Sequence, residues 1–261
     1  KKLEKIDLIK VERIGRDMAK LQHFFNTLNN NEKLTLKDIW EKTVKRFPHN
    51  EALIWAPDKE VITYEEADQI IKKSCLFLLK KGLKRGDRVV CMSYSHPDFY
   101  FLFWSCALIG VSFVPLSESL KREEIKKLLE MSNPKLFFSD KRETLELLGT
   151  DRCFLIGDYS EKEECYLNQV LMINEEEKTH QDMLQVVGPI PDDEGIILFT
   201  SGSTGKPKGV PLTQGALVSS AETLKDEKKE RYLSLGEYHA MSGFRNPLIL
   251  PVLKGSVSLF L

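Results

Sequence analysis

Apolar residues recur along this chain in two rhythms, and each rhythm predicts its own kind of element. Val11, Ile14, Met18, Leu21, Phe25 and Leu28 follow steps of three and four residues, which places them on one stripe of a helix that ends at Asn29-Asn30-Asn31. The stripe can serve as a coiled-coil seam, as a membrane-surface face or as a face docked on the chain's own body, and the last is the reading adopted for a helix of mixed charge. Leu36, Ile39, Trp40, Val44 and Phe47 keep the same spacing, with Thr35 placed to cap the first turn and Pro48-His49-Asn50 as the stop. Segments 52–55 and 60–63 predict a hairpin across Pro57-Asp58-Lys59, and a further helix runs from about Tyr64 to Lys81 and closes at Gly82.

Residues 99–116 contain no formal charge over eighteen positions, a length that raises the question of a membrane span. Punctuation decides against one. Pro97 suits the first turn of a helix, Gly110 suits its end, and 111–115 then reads as a strand. The β-branched run 88–93, the charged helix 122–131, the turn Asn133-Pro134 and the strands 135–138 and 153–156 continue the alternation. Helices alternating with short apolar strands predict an α/β fold with largely parallel sheets covered by helices on both faces. Between Gly157 and Gly188 the acidic residues Glu161, Glu163, Glu164 and Glu175-Glu176-Glu177 predict a solvated connector. Strands also end the chain at 256–261, and the opening Lys1-Lys2 is not an initiator methionine, so the sequence reads as a piece of something longer. The expected division is an amphipathic extension at 1–31, a first α/β subdomain at 32–190 and the start of a second at 191–261.

Charge then narrows the function. With 38 Lys and Arg against 39 Asp and Glu in 261 residues, the net charge is −1, and the basic face that neutralises nucleic-acid phosphates is not expected. Neither is a polybasic membrane anchor. The five cysteines, Cys75, Cys91, Cys106, Cys153 and Cys165, show no C-x-x-C pair and no histidine at ligand spacing, which predicts a reducing cytoplasm and no metal site of their own. Cys75 and Cys106 sit among apolar neighbours and read as small buried hydrophobes rather than nucleophiles.

From Gly195 the sequence changes character. The apolar run 196–199 leads into Thr200-Ser201-Gly202-Ser203-Thr204-Gly205-Lys206-Pro207-Lys208-Gly209. Glycines let successive N–H groups turn toward an anion, the hydroxyls add donors, and Lys206 and Lys208 supply charge, a composition suited to a polyphosphate. It is not the Walker loop, because Pro207 follows Lys206 where that loop needs Ser or Thr and a helix start. A Gly/Ser linker is the alternative, but a linker would not follow an apolar strand or hold a proline between two lysines.

Phe199 to Gly209 resembles the signature of the adenylate-forming superfamily, which includes acyl- and aryl-CoA synthetases, peptide-synthetase adenylation domains and firefly luciferase. Val61-Ile62-Thr63-Tyr64-Glu65-Glu66 resembles its early Thr-Tyr-x-Glu motif, 107–116 its Ala-Gly-x-x-x-Val-Pro motif, and Leu250-Pro251-Val252-Leu253-Lys254-Gly255 its Leu-Pro-x-Leu-x-x-Gly. The resemblance implies the large N-terminal domain of that fold, truncated. It implies ATP-dependent activation of a carboxylic acid, as in fatty acid metabolism, with release of pyrophosphate and transfer to CoA or to the phosphopantetheine of a carrier protein. Thr200, Ser201, Gly202, Ser203, Thr204, Gly205, Lys206, Lys208 and Gly209 would then hold ATP with Mg2+, and Thr204 and Lys208 would act in catalysis. Gly236-Glu237-Tyr238-His239 falls where the family has Pro-Leu-x-His, and His239 reads either as a buried or strand-end histidine or as a wall of the acid pocket. Three functional readings follow: an acid–thiol ligase using CoA, a peptide-synthetase adenylation domain loading a carrier, and a binding or scaffold fragment dimerising through the 11–28 stripe. On the first two, the isolated piece is expected to be inactive without the family's later residues.

Overall fold

The structure, a computed structural model, describes residues 33–149, 151–157, 165–173, 188–201, 207–224, 231–234 and 238–261. The helix expected over 11–28, and any dimer through its stripe, lie outside these residues. Helix α1, Leu36–Arg46, starts where expected: the Thr35 hydroxyl accepts the Asp38 N–H at 3.1 Å while the Asp38 carboxylate accepts the Thr35 N–H at 2.7 Å. Strands β1, Glu51–Trp55, and β2, Glu60–Thr63, form the expected hairpin. Helix α2, Tyr64–Lys80, opens with a second capping box between Thr63 and Glu66 and is followed by Gly82 at φ +79°.

Next come β3, Arg88–Met92, α3, Pro97–Leu108, β4, Ser112–Leu116, α4, Arg122–Ser132, β5, Leu136–Ser139, a 3-10 turn at Arg142–Leu147 and β6, Cys153–Leu155. Short helix α5, Tyr166–Leu171, lies within the acidic connector. Strands β7, Glu194–Ser201, and β8, Pro207–Thr213, precede α6, Gln214–Glu222. The chain finishes through β9, Arg231–Ser234, α7, Met241–Leu248, α8, Leu250–Lys254, and β10, Val257–Phe260.

Two sheets result, with strand orders β2-β1-β10-β9 and β6-β5-β3-β4-β7-β8, parallel except for the hairpins β1–β2 and β7–β8. Both sheets draw strands from either side of residue 190. The expected boundary at 190/191 therefore does not separate them: β10 inserts beside β1, and β7 adds to the sheet begun by β3.

The uncharged stretch finds its place between the sheets. Every residue of α3 is buried; Tyr100 meets Phe260 of one sheet edge-on at 6.0 Å, and Phe103 meets Phe113 of the other at 5.7 Å. Such a helix is apolar all round because it is covered all round. Among the described residues no helix is long and apolar enough to cross a membrane. The five cysteines are all buried and none is in a disulfide, and burial pushes the Cys75 thiol up to about 12 and those of Cys91 and Cys106 well above the ordinary range.

Candidate functional site

The glycine-and-hydroxyl segment begins in the last residues of β7 and ends in the first residues of β8. The strands pair from Glu194↔Thr213 to Ser201↔Pro207, so Gly202, Ser203, Thr204, Gly205 and Lys206 form the connection, and these five lie outside the described residues. At the strand ends Thr200 stands opposite Lys208 and both are exposed; directly opposed residues put their side chains on one face of an antiparallel pair. Phe199 and Gly209, one step back, take the other face. A Cβ at Gly209 would lie 3.1 Å from Ile197 Cγ2 and 3.3 Å from the Phe199 ring, so the missing side chain lets β8 lie against its partner's aromatic. The segment from Pro207 on is a strand, not the helix that follows a Walker loop.

Neighbouring strands set the surroundings. Strands β3 to β7 run parallel, so the carboxyl ends of all five lie along one edge. Adjacent strands β3 and β4 send their helices to opposite faces: α3 packs with Val89 and Cys91, α4 with Val90 and Met92. A crevice outside the carboxyl ends of strands at such a reversal is the general ligand position of open α/β sheets. Beside it, β4 meets β7 at one register point, Phe113↔Ile196, and Pro115 has no N–H with which to extend the ladder. At the opposite, amino edge, β7 is tied down by ion pairs from Arg85 to Asp193 at 2.7 Å and from Arg88 to Glu194 at 2.9 Å.

The turns lining that edge are held by buried polar groups. Asp140, after β5, accepts the Tyr94 N–H at 2.9 Å, and burial raises the pKa of its carboxyl. Asp98, at the start of α3, accepts the Gly157 N–H at 3.0 Å and lies 3.5 Å from His96 Nδ1. His239 is exposed on the turn between β9 and α7, which sets aside the reading of a buried histidine. Its neighbour Tyr238 is the buried one, joined to Ser234 and Ser95 by hydroxyl contacts. None of Ser95, Asp98, Asp140 and Ser234 stands out in the sequence, because the contacts that join Asp140 to Tyr94, Asp98 to Gly157 and Ser95 to Ser234 each link residues far apart along the chain. Among the described residues no group of three or more His, Cys, Asp or Glu is placed to hold a metal ion.

Residues 40–261 match the family model of the AMP-binding enzymes, and the chain belongs to that family. It is 28% identical over 174 residues to 4-coumarate–CoA ligase 3 of Arabidopsis thaliana, covering 66% of this chain and 30% of that protein. It is 27% identical over 195 residues to crotonobetaine/carnitine–CoA ligase of Citrobacter koseri, 68% of this chain and 36% of the ligase. Gramicidin S synthase 2 of Brevibacillus brevis aligns with 98% of the chain at 24% identity, over 5% of its own length. The chain thus spans about a third of the CoA ligases it matches. Among solved structures, the inhibitor-bound N-terminal domain of FACL13 from Mycobacterium tuberculosis superposes with a TM-score of 0.70 at 18% identity, over 86% of this chain and 56% of that one. The N-terminal subdomain of Klebsiella oxytoca NpsA, in complex with 3-hydroxyanthranilyl-AMSN, gives 0.67 at 22% identity, over 86% and 52%. These likenesses show the fold: mostly parallel sheets flanked by helices, as in the N-terminal domains of adenylate-forming enzymes.

Proposed function

We propose that this chain supplies the phosphate-binding part of an enzyme that activates a carboxylic acid with ATP and passes the acyl group to a thiol, with CoA as the acceptor. The observation that carries the reading is the β7–β8 hairpin, whose register sets Thr200 and Lys208 side by side one pair back from a five-residue glycine-and-hydroxyl connection. A carboxylate oxygen would attack the α-phosphorus of ATP as the bond to the bridging oxygen of the β-phosphate breaks, releasing pyrophosphate and leaving an acyl-adenylate. The thiol would then attack the acyl carbon and expel AMP. Thr200, Ser201 and Thr204 would donate hydrogen bonds to the β- and γ-phosphates, the glycines would admit the phosphates close to the backbone, and Lys208 would offset the charge that grows on pyrophosphate. Magnesium would arrive with the nucleotide, and no ligand for it is assigned among the described residues. His239, exposed on the turn after β9, would line the acid side of the cleft. Five buried thiols that form no disulfide support a reducing compartment, the cytoplasm.

A second reading, an adenylation domain that loads a carrier protein, is favoured by the alignment of gramicidin S synthase 2 along nearly the whole chain. Free CoA against a phosphopantetheinylated carrier as the thiol acceptor separates the two. For the shared first step, Thr204→Ala or Lys208→Ala in the intact parent enzyme should lower ATP–pyrophosphate exchange by at least about tenfold, the scale of losing one electrostatic donor. Exchange at the unmutated rate would remove this loop from the role of phosphate clamp.

A further inference from the structure

Three hydroxyl groups meet in the core where the two sheets approach each other at their carboxyl ends. Ser234 ends β9 of the four-stranded sheet, Ser95 follows β3 of the six-stranded sheet, and Tyr238 begins the turn into α7. All three are buried, at 0%, 8% and 2% exposure. The Tyr238 hydroxyl donates to Ser95 Oγ at 3.3 Å, Ser95 donates to the Ser234 carbonyl at 3.4 Å, and Ser234 Oγ lies 2.7 Å from the Tyr238 oxygen. With Ser234 donating in that last contact, each hydroxyl gives one hydrogen bond. The Tyr238 ring also stacks on Phe99, with centroids 3.9 Å apart and planes at 15°. Burial raises the phenol's pKa, so it stays a protonated donor at any working pH.

Packing alone does not call for this arrangement. A phenylalanine would make the same stack on Phe99, and burying three hydroxyls has a desolvation cost that their mutual bonds little more than offset. What the bonds add is direction. They hold the chain on both sides of residues 235–237 to the end of β3, and the next residue is His239. No bond of the set reaches β7 or β8.

We infer that Tyr238 is a positioning residue: its hydroxyl fixes the turn that carries His239 against the end of β3, and so sets the acid-binding side of the cleft independently of the phosphate hairpin. The inference rests on the acid-activation reading above.

The test is ATP–pyrophosphate exchange in the intact parent enzyme with benzoate, cinnamate, hexanoate and phenylalanine as probe acids, comparing wild type with Tyr238→Phe and Ser95→Ala. For the best acid, both variants should raise the acid KM by about fivefold or more, the effect of one lost hydrogen bond, while the ATP KM stays within about twofold. An unmoved acid KM, or acid and ATP KM rising together with a fall in thermal midpoint, overturns the positioning role and leaves the adenylation reading standing. No exchange with any probe in the wild type overturns the adenylation reading itself. Should Tyr238→Phe fail to fold, Ser95→Ala decides alone, since it removes one member and keeps both the stack and the Tyr238–Ser234 contact.

Discussion

A Cβ added at Gly255 would lie 2.3 Å from Cδ2 of Phe47, and the residue sits at φ +60°, where an L side chain is strained whatever the space. Gly255→Ala should therefore destabilise the fold by roughly 1–3 kcal/mol, read as a lower urea midpoint, and a midpoint at the wild-type value would show that Phe47 can move aside. The sequence motif around Gly255 marks the glycine but not its reason, which lies more than two hundred residues earlier in the Phe47 ring. Glu66 is the opposite case, legible locally. The Thr63 N–H and hydroxyl both donate to its carboxylate and hold its pKa below the ordinary 4.5. Because the native state takes up this proton at lower pH than the unfolded chain does, the contribution is fully present above the unfolded value and drains as pH falls through the lowered one. Glu66→Gln should accordingly lose less of its thermal midpoint than wild type between about pH 5 and about pH 3; equal losses would show that the capping bonds carry no linkage.

Helices and strands were readable where their ends carry chemistry. Thr35 and Thr63 announce α1 and α2, and Pro97 with Gly110 separates α3 from a membrane span. Thr35→Ala should lower stability by about 1 kcal/mol, measured by thermal unfolding, and no change would mean that Asp38 or water replaces the cap. Strand β8 is not legible, because it carries Pro207 and Pro211, residues that argue against a strand interior. It exists because it is an edge, with no partner beyond it in the sheet order for the prolines to fail. The short helices α7 and α8 and strand β9 escape for a related reason: they are too brief for a periodicity to emerge. For the site, the motif at 200–209 reveals the loop and its charge. The Ser95–Ser234–Tyr238 set stays hidden, since its members are up to 143 residues apart.

For the molecule as a whole, alternation predicts parallel pairing but not that two sheets would each be closed by distant segments. The reason is topological: β10 can lie beside β1 only after the whole six-stranded sheet has been threaded between them. Deleting residues 255–261 should remove the central partner of the β1–β2 hairpin, and two strands alone are marginal in water. Hydrogen exchange should then show amides of β1 and β2 losing protection while β3 and β5 keep theirs. Retained protection in β1 would mean that α2 and α3 suffice to hold it.

That pairing also has a meaning in time. Strand β1 leaves the ribosome about 200 residues before the strand that will lie beside it, a wait of roughly 10–40 s at ordinary rates of synthesis. Throughout that interval the early hairpin offers an unfilled row of backbone donors and acceptors to whatever nascent chain lies nearby. Slowing translation should lengthen this exposure and so increase the demand for chaperones.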